Sequence, residues 1–258
     1  MPVCIFCTNE AGSEEHLWGA WIHRRIKMGP IRAQEGSRPA SINDNPEMTI
    51  DTVCHTCNNT WMSRLEAKNI PTVGAMLKNE PTAIDPGRQR VLTEWAVKTA
   101  MIMDSIKPRN GNENFYTREE RVAMRERQEL PSRTQIWIGA LTEQHLGAFG
   151  TDFGIVGGDG ETRVGIGIST TVVVGHFIVQ VATTHILPQY ANLYFPDLTS
   201  KPGDWANMLI ELYPRSEKKI ELPPKICFTN GGPKGIAYLM DRWRIGVRVD
   251  RITQVTNP

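Results

Sequence analysis

The chain has 258 residues, which is longer than a typical single domain, so its length favours two parts. Hydrophobic residues make up 40% and charged residues 22%, a balance that excludes a chain dominated by disorder. The formal net charge is +1, and residues 1 to 72 carry seven Lys and Arg against eight Asp and Glu. A nucleic-acid partner therefore finds no support in overall charge and must be argued from local chemistry.

The start of the chain and its hydropathy predict a cytoplasmic protein. Met1 leads into polar sequence by Thr8, unlike a signal peptide, and no apolar run approaches the roughly 18 residues that span a bilayer. In a reducing compartment, paired cysteines bind metal more often than they form disulfides.

Four of the five cysteines form two Cys-x-x-Cys pairs, Cys4 with Cys7 and Cys54 with Cys57. Two such pairs offer four thiolates to one tetrahedral ion, which predicts a structural zinc site. A thiol-redox role is disfavoured, because a thioredoxin-type motif occurs once and in a βαβ setting. Iron is the other alternative, and the separation of the pairs favours zinc in a treble-clef finger.

We predict that residues 1 to 72 form a small module organised by this metal, since so short a segment rarely buries enough apolar surface alone. The sequence "NNTWMSRLEAKN" after Cys57 predicts the helix of the finger. Trp61 and Leu65 are four residues apart and are expected to pack inward. Asn58 begins this segment, either as a metal ligand or as the helix N-cap, a position that favours Asn.

Between the cysteine pairs lies the dipeptide Glu15-His16. Hydrolysis of a phosphodiester needs a base that activates water and a divalent cation that neutralises charge on the phosphate. A neutral histidine suits the first task, and hard oxygen ligands such as those of Glu15 and Asn58 suit the second. The alternatives are a surface histidine for His16 and a solvated acidic pair for Glu14 and Glu15.

The order Cys-x-x-Cys, acidic residue and His, then Cys-x-x-Cys-Asn resembles the zinc-bearing treble-clef branch of the HNH (His-Me finger) endonuclease family. The resemblance covers residues 4 to 68. It implies that His16 is the general base, that Glu15 and Asn58 bind a catalytic Mg²⁺ or Mn²⁺, and that the four cysteines hold structural Zn²⁺. It also implies a nucleic-acid substrate, for which we expect DNA rather than RNA.

The sequence departs from the family pattern at two points. Glu15 stands where Asp is more usual, which lengthens the ligand arm by one methylene. The middle Asn that orients the histidine is absent a few residues before Cys54, where the sequence reads "TIDTV". Asn43, Asn45 and Asp51 are the candidates to replace it.

Several side chains near the motif have both a functional and a structural interpretation. Arg24, Arg25 and Lys27 are candidate phosphate contacts, against an ordinary solvated helix face. His23 follows His16 by seven residues, and we expect a loop between the two. The tryptophans of the module could stack on bases, but in so small a finger they are more often core: Trp18, Trp21 and Trp61.

The remainder, residues 73 to 258, is predicted to be an α+β domain, so the whole chain is assigned to the α+β class. Helices are expected over about 88–106 and 118–129, the second announced by a capping box at Thr117-x-x-Glu120. Antiparallel strands follow from Thr134 onward. A short helix is predicted at "GDWANMLIEL" and late strands at "KICFT" and "WRIGVRVD".

Two functions are compatible with these patterns. The first is a metal-dependent HNH-type endonuclease that hydrolyses phosphodiester bonds, with a bacterial or phage defence effector as one setting. The second is a non-catalytic zinc-finger module that binds nucleic acid or protein, with the C-terminal domain as sensor or interaction domain. Oligomers are compatible with both.

Overall fold

The computed structural model describes residues 2–16, 19–26, 31–33, 41–43, 49–106, 114–157, 159–191, 208–214, 217–231, 235–236, 239, 243 and 247–248. Within these ranges the protein is a mixed α+β structure whose strand pairs are mostly antiparallel, as the sequence predicts. No helix in the described ranges is long and apolar enough to cross a membrane.

The N-terminal region is organised around one antiparallel strand pair. Strand β1 (Ser13–His16) pairs with β4 (Thr49–Val53). The connection between them contains the short helix α1 (Ala20–His23) and a separate two-stranded sheet of β2 (Ile31–Ala33) and β3 (Ser41–Asn43). Strands distant in sequence are thus brought together beside the cysteines.

A long helical segment follows β4. It starts as α2 (His55–Cys57), passes through a π-helical turn (Asn58–Met62) and continues as α3 (Ser63–Met76). The predicted boundary between residues 72 and 73 lies inside α3, which carries Pro71 in its interior. The N-terminal region and the rest of the chain are therefore joined by continuous helix.

Two more helices occupy the segments where the sequence predicts them, α4 (Pro86–Ile106) and α5 (Arg118–Arg127). The capping box is present: the Glu120 amide donates to Thr117 Oγ1 at 3.2 Å, and the Thr117 amide donates to Glu120 Oε2 at 2.8 Å. These two bonds satisfy amide donors that the first turn of a helix leaves free.

The main sheet is built on a long antiparallel hairpin of β6 (Thr134–Val156) and β7 (Arg163–Ile186). Strand β8 (Leu209–Tyr213) pairs antiparallel with β6, and β10 (Val247–Arg248) pairs parallel with it. The helix predicted at "GDWANMLIEL" is therefore wrong in its last residues. Hydrogen bonding to the edge of β6 outweighs the helical preference of this short segment.

A smaller sheet ties the region after α3 to the C-terminal part. Strand β5 (Thr82–Ile84) pairs antiparallel with β9 (Ile220–Leu222). The main buried cluster is continuous from Cys4 near the N-terminus through α3 and α4 to Val179 on β7. The N-terminal region thus shares one hydrophobic core with the helices and the sheet.

Candidate functional site

The four paired cysteines converge on one point. Their Sγ atoms all lie within 4.8 Å of one another, and all four residues are buried. The Cys7 sulfur is 3.5 Å from that of Cys54 and 3.6 Å from that of Cys57. Four sulfurs around a tetrahedral Zn²⁺ at about 2.3 Å lie roughly 3.8 Å apart, so this cluster fits such an ion. The centre could hold a metal ion such as zinc.

Backbone amides donate hydrogen bonds to two of the four sulfurs. The Phe6 amide donates to Cys4 Sγ, and the Cys57 amide donates to Cys54 Sγ, each at 3.4 Å. A hydrogen bond from Cys57 is the main reason that the pKa of Cys4 is lowered to about 4. The same bond, together with burial, raises the pKa of Cys57. Burial likewise raises the pKa of Cys7. These contacts therefore stabilise a thiolate on Cys4 alone, and binding through all four sulfurs would need the positive charge of the ion.

The helix after the second pair begins earlier than the sequence suggests. Cys54 is its N-cap, and the Asn58 amide donates to the Cys54 carbonyl at 3.0 Å. Asn58 therefore lies within the helical segment, and the N-cap interpretation of this residue is wrong. Its side chain instead reaches β1, where Nδ2 donates to Ser13 Oγ at 2.8 Å.

Burial alternates along β1. Ser13 and Glu15 are buried, whereas Glu14 between them is exposed. Asn58 therefore meets the face of β1 that carries Glu15, and Glu15 does not belong to a solvated acidic pair. His16 is partly exposed and lies opposite Thr49, the first residue of β4.

Glu15 faces a buried charge cluster. Lys98 Nζ lies 3.9 Å from Glu15 Oε1 and 2.8 Å from Glu66 Oε1. Glu66 also accepts the indole N–H groups of Trp95 at 2.7 Å and Trp21 at 2.8 Å. Burial raises the pKa of Glu15, and the attraction of Lys98 offsets this in part. Burial also acts on Glu66, but Lys98 and the two indoles hold its pKa below the ordinary value.

His16 has a second histidine beside it. The ring centroids of His16 and His23 are 6.5 Å apart, and the planes are inclined by 63°. The four-residue helix α1 ends at His23 and positions it against the end of β1. The loop predicted between these histidines is thus replaced in part by helix, and Trp18 lies outside the described residues.

The candidate phosphate contacts differ in their environments. Arg24 is exposed, and Lys27 lies outside the described residues. The Arg25 guanidinium sits 5.6 Å from the Trp21 ring and against Gly74 on α3, where an added Cβ would lie 2.2 Å from Nη1. Trp21 is buried, in agreement with its interpretation as core, and supplies the surface on which Arg25 packs.

The remaining residues singled out from the sequence are Trp61 and the three candidates to replace the missing family Asn: Asn43, Asn45 and Asp51. Trp61 is half-buried, meets Phe6 edge to face at 5.1 Å and packs against the main hydrophobic core. Asp51 is exposed on β4. Asn43 ends β3, but its side chain and all of Asn45 lie outside the described residues.

No protein-family model, curated protein or solved structure matches this chain. The function must therefore be argued from the site itself.

Three residues at this site are not singled out by the sequence motifs: Ser13, Glu66 and Lys98. Lys98 gave a usable signal, because it is a lysine within the apolar stripe of the helix that carries Trp95 and Ile102. The sequence around Ser13 and Glu66 contains no feature that marks them as site residues, since each is a common residue type in an ordinary polar segment.

Proposed function

We propose that this protein is a metal-dependent endonuclease of the HNH type, built on a treble-clef finger whose four cysteines hold structural Zn²⁺. The hydrogen bond from Asn58 to Ser13 carries the proposal. It supports a site in which the residue after the last cysteine and the acidic residue of β1 share one face. The strand pair followed by a helix around the cysteine cluster agrees with this arrangement.

In this proposal His16 takes the proton from the attacking water, for which its partial exposure at the end of β1 is suitable. Glu15 and Asn58 supply oxygen ligands to Mg²⁺ or Mn²⁺. Such a cation neutralises charge on the phosphate and on the leaving oxygen. The cysteine-bound zinc holds the finger together and takes no part in the reaction.

The charge cluster behind Glu15 supports a cation at this position. Counted as ionised groups, Glu15 and Glu66 contribute two negative charges against the single positive charge of Lys98. The cluster therefore has a formal charge of −1 in a largely buried setting, where uncompensated charge is costly. A divalent cation bound by Glu15 would offset that charge.

We propose DNA as the substrate, with Arg24, Arg25 and Lys27 as phosphate contacts. Arg24 is exposed on the segment that follows His23, close in sequence to the histidine pair. Arg25 is also exposed, and the Trp21 ring orients it. Cationic side chains in such positions add affinity without reading base sequence.

One observation favours a non-catalytic zinc-finger module as the second candidate. Both proposed cation ligands already have protein partners, since Asn58 donates to Ser13 and Glu15 pairs with Lys98. In that case the finger binds nucleic acid or protein, and these contacts serve only to join it to the rest of the chain.

Cleavage assays separate the two candidates. Zinc-loaded protein is incubated with supercoiled plasmid, single-stranded DNA and RNA, with Mg²⁺, Mn²⁺ or EDTA. The endonuclease predicts metal-dependent cleavage that His16→Ala lowers by about 10² to 10⁴-fold. His55→Ala is the matched control, because His55 is an exposed histidine on the same finger. Equal cleavage by wild type and His16→Ala would exclude His16 as the base, and binding without cleavage would favour the module.

A further inference from the structure

We propose that Lys98 is a positioning residue that orients the Glu15 carboxylate toward the catalytic cation, an inference that rests on the proposed endonuclease function. Lys98 belongs to α4, outside the N-terminal 72 residues that carry the motif. The candidate cation site would then depend on a residue from the C-terminal part of the chain.

The position of the Lys98 ammonium is fixed independently of Glu15. Its side chain is only 3% exposed, and Nζ donates to Glu66 Oε1 at 2.8 Å. Glu66 is itself held by the indole N–H groups of Trp95 and Trp21. A carboxylate that is only 16% exposed and accepts from two indoles has little freedom to move, so it provides a rigid base for the lysine.

Glu15 depends on this lysine for its orientation. Among the described residues, Glu15 side-chain oxygens make no hydrogen bond, and the ion pair from Oε1 to Lys98 at 3.9 Å is the polar contact that directs the carboxylate. Glutamate has one more rotatable bond than aspartate. A ligand on this longer arm needs a partner to hold it, and loss of such outer partners typically costs 10- to 100-fold in metal affinity.

The test must separate orientation from charge. In the double variant Lys98→Met/Glu66→Gln, one positive and one negative charge are removed together, so the formal charge of the cluster stays at −1. Replacing a buried ion pair by apolar side chains is often neutral for folding. The Glu66→Gln amide keeps one acceptor for the two indole N–H groups, so zinc content and circular dichroism check that the variant is folded. The matched control is Arg90→Met/Glu94→Gln, which removes an exposed pair of the same charges on the same helix, joined at 2.9 Å.

The experiment titrates Mn²⁺ into full-length, zinc-loaded protein and follows free Mn²⁺ by electron paramagnetic resonance. We expect the Lys98→Met/Glu66→Gln variant to bind Mn²⁺ at least about tenfold more weakly than wild type, with unchanged zinc content and circular dichroism. The cleavage rate should then recover as Mn²⁺ is raised. The control pair should bind Mn²⁺ as wild type does.

The outcomes distinguish this inference from the proposed function. Unchanged Mn²⁺ affinity in the variant, with cleavage still dependent on His16, overturns the role of Lys98 and leaves the endonuclease standing. A wild-type protein that neither binds Mn²⁺ nor cleaves overturns both. If Lys98→Met/Glu66→Gln loses zinc, the variant Lys98→Gln/Glu66→Gln takes its place, because its two amide side chains can form a hydrogen bond with each other. The same Mn²⁺ affinities and cleavage rates then decide the outcome.

Discussion

Asn58 in the helical segment after Cys57 donates a hydrogen bond of 2.8 Å to Ser13 on β1, two residues before Glu15. This bond joins the helix that follows the second cysteine pair to the strand between the two pairs. Ser13 is buried, so the contact is shielded from competition with water. It fixes Asn58 against the buried side of the strand, where Ser13 and Glu15 lie.

Replacing Asn58 tests this contact. Asn58→Leu is expected to destabilise folding by about 1 kcal/mol, because Ser13 loses its donor, and to abolish Mn²⁺ binding at the candidate site. Asn58→Asp should retain Mn²⁺ binding, since a carboxylate is also a hard ligand. Chemical denaturation and Mn²⁺ titration measure the two effects. Asn59→Leu, an exposed neighbour, is the control and should change neither.

Removing one of the four clustered sulfurs should unfold the region around the cysteines. Cys54→Ser is expected to lower the zinc content from about one ion per chain to nearly none and to cause a large loss of thermal stability, because such sites contribute directly to folding. Zinc analysis by mass spectrometry and thermal melts measure this. Cys227→Ser should retain the metal, since Cys227 lies outside the cluster. Full zinc content in Cys54→Ser would exclude the four-cysteine site.

A buried ion pair secures α5 on α4. Asp104 accepts from Arg121 at 2.8 Å and from the amides of Phe115 and Tyr116 at 3.1 Å. Asp104→Ala is expected to cost about 3 to 5 kcal/mol of unfolding free energy, because Arg121 is left as an unpaired buried charge. Urea denaturation measures it.

The exposed pair of Arg127 and Glu129 is the control for that change. It is equally short at 2.8 Å, but both side chains are 60% exposed. Glu129→Ala should therefore cost less than about 1 kcal/mol. Equal losses for the two substitutions would contradict the assignment of Asp104 as a buried anchor.

The contact between Glu120 and His185 should make stability depend on pH. Burial raises the pKa of Glu120, but the 2.9 Å contact with His185 and the Thr117 amide outweigh it and leave the pKa below its ordinary value. A carboxyl whose pKa is lower in the folded state stabilises the protein above its unfolded pKa of about 4.3. That contribution is lost as pH falls through the folded pKa.

Comparing wild type with Glu120→Gln isolates this contribution. The difference in unfolding free energy between the two proteins should be largest near pH 7 and should shrink as pH falls below about 4. Denaturation curves across this range measure it. A difference that does not vary with pH would show that the charge of Glu120 contributes nothing.

Gly175 permits a close approach between β7 and the end of α3. Its φ is +60°, and an added Cβ would lie 2.5 Å from the Leu77 carbonyl oxygen. Gly175→Ala is expected to destabilise the protein by more than about 1 kcal/mol, through both backbone strain and the clash. Gly150→Ala on β6 is the control, since its Cβ would meet nothing within 4 Å. Thermal melts of both variants check the prediction.

The sequence alone determines the features that depend on local spacing. Two Cys-x-x-Cys pairs are sufficient to predict the cysteine centre, because a tetrahedral ion needs two thiolates from each of two tight turns. The capping box at Thr117 and Glu120 and the apolar stripe of α4 are likewise readable, since each depends on residues three or four positions apart. The α+β class follows from the change of period at Thr134.

The tertiary structure decides what surrounds the candidate site. Lys98 meets Glu15 across more than eighty positions of sequence, and Asn58 finds Ser13 instead of capping its own helix. The same is true of His23, which α1 turns back against His16. No local pattern encodes these contacts, because they arise from the packing of β1, α3 and α4 around one continuous core. Burial of that core determines which polar side chains come into contact.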